Sequence, residues 1–231
     1  MAEFSSPALS QGRPDISRAS PVETLLSLVQ AEGTLAHRYP VSEVMVRGPE
    51  AARNVADAVH HFSLLHGRHP GVVDHALVRA HDIAHGELLT MLAAEFAEER
   101  QFLTRLVVAV GPLPSTPGQA NTETAVLAQH HAIGMLAQSE RAGCALGAAV
   151  AVLIDWLAIR VVLDHAAERL SVDPPAPRIP STGAMRALIA DLTMTPGMER
   201  ALVFGGQQIV AQHRGLWDLL EARSIAREHA F

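Results

Sequence analysis

Seven histidines lie between positions 60 and 85: His60, His61, His66, His69, His75, His81 and His85. Neutral imidazole is the commonest metal ligand and the usual proton carrier near neutral pH, so the useful question is which rings point inward. At about 100° per helical residue, Asp57, His60 and His61 fall opposite Val55, Val59 and Phe62. That assigns the Asp57-Ala-Val-His60 pair to a solvated face. His66 extends the apolar stripe by one turn and is expected inside. Asp74, His81 and His85 share a line with Leu88, Leu92 and Phe96, with His81 and His85 stacked at i,i+4. His75 and Asp82 fall off that line, and His69 sits in a turn. Asp82-x-x-His85 therefore carries less weight than His81-x-x-x-His85.

Residues 119–170 add their own inward polar groups. His130, Arg141 and Asp155 lie on one stripe with Val126, Ile133, Ala137, Cys144, Ala148, Ala151, Ile159 and Val162, and Glu140 is close beside it. Folding this segment back about a turn near Leu113 levels His85 with Ala142, His81 with Leu146 and Asp74 with Leu153. Glu140, Arg141 and Cys144 then share a layer with the two histidines, and Asp155 comes near Asp74 and His66. Glu32 and His213 also fall on apolar stripes. Charges taken out of water must pair, bind a metal or change protonation state. His81, His85, Glu140, Asp74, Asp155 and His66 are thus either a self-satisfying network or the ligands of a cation. Iron or manganese suits His and carboxylate donors on facing helices. The small residues 143–149 either let two helices approach closely or leave a cavity beside the histidines.

The inward His and carboxylates are loosely similar to those of ferritin-like di-iron proteins, and the outline also resembles a haem-oxygenase-like bundle. The sequence departs from the di-iron pattern because it has no Glu-x-x-His and no His-Glu-x-x-His. A haem variant would use His81, His85 or His213 as axial ligand, without an attachment motif. Nucleophile chemistry has less support: there is no Gly-x-Ser-x-Gly, and Cys144 sits in an apolar helical tract.

The elements that must position these residues are helical throughout. Ser20-Pro21-Val22-Glu23 reads as a capping box opening a helix that carries Leu25, Leu28, Val29, Leu35 and Ala36 inward before Tyr39-Pro40. Further helices are predicted over about 49–65, 72–110, 119–170, 184–192 and 196–228. The 72–110 helix has Val78, Leu88, Leu92, Phe96, Leu103 and Leu106 inside and Arg79, Glu87, Thr90, Glu98, Gln101 and Arg105 outside, and a break near Gly143 or Gly147 is allowed for in the next. No alternating strand pattern or internal repeat occurs. The expected fold is an all-α antiparallel bundle of about six helices with two long central ones. Residues 1–20 read as a disordered tail and 21–231 as one domain, with a Pro-rich connector at 172–183.

Composition narrows the function. All 18 basic residues are Arg, a bias that GC-rich coding produces, so Schiff-base and phosphate-loop lysines are excluded. A net charge of −6 argues against a nucleic-acid surface. One cysteine excludes an internal disulfide. The polar N-terminal stretch lacks the apolar core of a signal peptide, which points to the cytoplasm. Residues 144–163 are apolar enough for a membrane span, but Asp155 and Arg160 inside them favour a core helix. Trp217, Leu219 and Leu220 suit either an internal seat or a homodimer contact. The expectation is a scaffold or interaction protein with a buried His–carboxylate network; the alternative is a metal-binding protein or oxidoreductase using the same cluster.

Overall fold

A computed structural model describes residues 20–229, and within them every regular element is helical. The tail expected over residues 1–20 lies outside this range except for Ser20, whose Oγ accepts from the Glu23 amide and caps α1 (Pro21–Glu32). Glu23 itself turns away to pair with Arg186 at 2.8 Å, so the capping box is only half made. The chain then leaves the helix for a 3-10 turn, Thr34–Ala36. This shortening exposes Glu32, Leu35 and Ala36, which the helical reading had turned inward. It also turns the Thr34 amide and hydroxyl into the core.

Helices α2 (Glu43–Val46) and α3 (Ala51–His66) follow. The helix expected over 72–110 is two helices, α4 (Val72–Val78) and α5 (Ile83–Val110). The break has a local cause in Asp82. Its extended backbone and its Oδ1, which accepts from the His85 amide at 3.0 Å, make it an N-cap. Val78 at the end of α4 is 83% exposed, against the inward expectation, while Leu88, Leu92, Phe96, Leu103 and Leu106 on α5 are buried. The next predicted helix also divides, into α6 (Gln119–Ala137) and α7 (Cys144–Leu170). The elbow between them ends at Gly143, whose φ of 94° is a conformation that glycine adopts without Cβ strain. Non-helical chain at 172–181 leads to α8 (Thr182–Ala190) and α9 (Pro196–Glu228). Thr195 caps α9 and Pro196 occupies its first turn.

Helix α7 is the one described helix long and apolar enough to cross a membrane, and 89% of its apolar window is buried within the protein. It lies against α9 at glycine distances. A Cβ on Gly147 would run into the Leu202 carbonyl, and one on Gly205 into the Cys144 carbonyl. The small residues of 143–149 therefore serve close helix approach. Trp217 and Leu220 on α9 are fully buried inside the chain.

Candidate functional site

Two of the Asp–His contacts among the described residues, one deep and one at the surface, frame the polar chemistry. The first is deep. Asp155, near the middle of α7, receives the Nδ1 proton of His213 on α9 at 2.7 Å. Its other donors are the amide and hydroxyl of Thr34, at 2.7 and 2.8 Å, and the Trp217 indole N–H in turn donates to the Thr34 hydroxyl at 2.9 Å. His213 Nε2 meets His66 Nε2 at 2.8 Å, so one proton lies between the two rings. Phe62, Phe96, Trp156 and Trp217 surround the imidazoles, with Trp156 edge-on to His66 at 5.8 Å.

This dry setting decides the charges. Burial would raise the Asp155 carboxyl, but His213 and Thr34 outweigh it and hold the group below the ordinary carboxylate value. Burial, reinforced by His213 and His130, pushes His66 well below the ordinary imidazole value and keeps it neutral at pH 7.

A second buried network joins α3 to the end of α9. Asp57 accepts a two-pronged contact from Arg223, both arms at 2.9 Å, and a third bond from Arg227 at 2.6 Å. Asn54 and Thr116 take further Arg227 protons. Burial beside this cluster pushes the Tyr39 hydroxyl up to about 12. Asp57 and His61 had been assigned to a solvated face, and both are buried. Helix α3 is covered on two sides, so its polar face meets the α9 arginines instead of water. His60 is half-buried and bonds the Gly111 carbonyl. The overlooked signal was the run Leu216, Leu220, Arg223, Arg227, which keeps the apolar spacing of α9 while changing to arginine. A third cluster links Glu99 with Arg160 and the Trp156 indole, so the charge inside apolar α7 is paired.

The second Asp–His pair is at the surface. Asp82 Oδ1 accepts both the amide of His85 and its ring Nδ1–H, the latter at 2.7 Å. The two His85 donors hold the exposed Asp82 carboxyl below its ordinary value. Fixing the proton on Nδ1 leaves Nε2 as the free nitrogen. The His85 side chain is only 3% exposed, and its Nε2 has no hydrogen-bond partner. His85 lines a cavity of about 340 Å³ between the α4–α5 and α6–α7 elbows, together with Arg79, His81, Glu140, Arg141 and the first turn of α7.

The six expected metal ligands thus separate into three places. His66 and Asp155 belong to the deep network, joined through His213. His81, His85 and Glu140 line the surface cavity, with His81 and Glu140 exposed because both helices break beside them. Asp74 caps the Gly71 amide and pairs with Arg100, away from both. The expected i,i+4 stack is absent because His81 precedes α5, although the His81 and His85 rings still lie 6.1 Å apart. Arg141, expected inside, is exposed, and His130 is half-buried on the Leu65 carbonyl. Among the described residues no three His, Cys, Asp or Glu side chains form a group able to hold a metal ion. Thr34, Trp217, Asp57, Arg223 and Arg227 were not among the candidates.

A family model described as "Family of unknown function (DUF6975)" matches residues 29–228, which contain all of these networks. No curated protein and no solved structure matches the chain.

Proposed function

We propose that this chain, which belongs to the DUF6975 family, is a soluble cytoplasmic scaffold built as a helical bundle, whose buried His–carboxylate chain is structural. The carrying observation is that both oxygens of Asp155 and both ring nitrogens of His213 are already taken by protein groups. A metal there would have to displace Thr34 or His66. The network instead ties the 3-10 turn to α3, α7 and α9. A polar chain whose members satisfy one another also specifies a single packing, since any slip leaves a buried group unpaired. The burial of α7 supports the soluble reading.

The metal-binding or oxidoreductase reading rests on a narrower observation, that His81, His85 and Glu140 line one cavity. Arg79 and Arg141 on the same walls oppose a cation there. Metal analysis of untagged protein separates the two readings. The scaffold reading expects no stoichiometric metal. Iron or manganese at one equivalent, lost in His81→Ala/His85→Ala, would overturn it.

A further inference from the structure

We infer that the cavity between the α4–α5 and α6–α7 elbows binds a small molecule through an oxyanion head group, a phosphate or a carboxylate. Four features converge there. Helix α7 begins at Gly143, which has no side chain to cap it, and among the described residues none does so. The first turn of this 27-residue helix lines the cavity through Ala145 and Leu146. A long helix presents partial positive charge and unpaired amides at this end, a setting that favours an anion. Arg79 and Arg141 stand on the walls, and among the described residues neither guanidinium is engaged in an ion pair. Arg141 is steadied over the Phe204 ring, 5.6 Å from its centroid.

The fourth feature is independent of the helix end. His85 is buried, locked by Asp82 with its proton on Nδ1, and lines the cavity with Nε2 unpartnered. A buried polar nitrogen without a partner is costly, and a ligand supplies one. A protonated head group donates to Nε2, while an ionised one is held by the two arginines and the helix end. Glu140, also on the wall, is exposed and screened by water. The volume of about 340 Å³ suits a metabolite-sized ligand. The site lies apart from the deep network, so it stands whether or not the scaffold reading does.

The test is a titration of the full-length chain, reading the His85 ring nitrogens by long-range ¹H–¹⁵N spectra. Orthophosphate and acetate are added in separate arms, with sodium chloride at matched ionic strength as reference. The expected result is a saturable His85 Nε2 shift with phosphate, acetate or both, and the responding arm names the head group. In Arg79→Gln/Arg141→Gln the midpoint should rise by at least about tenfold. No saturable shift in either arm, a response that chloride reproduces, or a midpoint unchanged in the arginine variant would each overturn the proposal.

Discussion

The Asp155–His213 and Asp82–His85 pairs are the same chemical unit with opposite endings. In both, a carboxylate holds an imidazole by Nδ1 at 2.7 Å. At His213 the far nitrogen meets His66 in an aromatic shell; at His85 it has no partner, and the residue lines a cavity. An Asp–His pair alone does not announce chemistry. What stands at the second nitrogen decides whether the ring is a structural link or an available base and hydrogen-bond acceptor.

The contrast is broken most severely at Asp155. Asp155→Ala strips partners from Thr34 and His213 at once and should cost about 2–5 kcal/mol in chemical denaturation, since it leaves several buried polar groups unpaired. A loss under about 1 kcal/mol would mean that the deep network contributes little. Next in size is the seam that holds the two regions together. Gly147→Ala drives a Cβ into the Leu202 carbonyl and should cost about 1–3 kcal/mol, seen as a lower Tm.

His66 sharpens the comparison through pH. It binds a proton less readily folded than unfolded, so its stabilisation is fully present above the ordinary value of 6.5 and is lost as pH falls below it. Asp155 follows the same sign in a lower window, below its ordinary value of 3.8. Denaturation midpoints measured between pH 7.5 and pH 5 should therefore fall in the native chain and fall less steeply in His66→Leu. Equal slopes would show that His66 takes no part in the acid response. The smallest effect belongs to the surface pair. Asp82→Asn keeps the cap and should change stability by no more than about 0.5 kcal/mol, in keeping with an exposed site. A Tm drop as large as that of Asp155→Ala would erase the distinction between the two pairs.

Some of this was legible in the residues. The stripes on α5 and the middle of α7, the start of α9 at Pro196 and the inward turn of His66 follow from helical spacing and capping chemistry, which act over a few residues. The grouping of His81, His85 and Glu140 around one space also emerged from simple levels along antiparallel helices. Asp57 was misassigned because helical periodicity identifies the more apolar face and cannot show that the opposite face is covered too. Asp82 was discounted because a continuous helix put it off the stripe, whereas it is the N-cap of a new helix that starts at Ile83.

The sequence by itself determined that the described chain is helical, that residues 144–163 form a stretch with only two charges, and that imidazoles and carboxylates would be buried together. Those are consequences of spacing, composition and the cost of isolated charge. Only the tertiary structure decided the pairings. Thr34 and Asp155 are 121 positions apart, His66 and His213 are 147 apart, and Asp57 reaches Arg223 across 166. Helical periodicity decays within a few turns, and two short breaks, at residues 79–82 and 138–143, reset the direction of everything that follows. Those breaks opened the cavity and left His85 at its edge, while the glycine-close seam of α7 and α9 brought His213 beneath His66 and sealed the other pair.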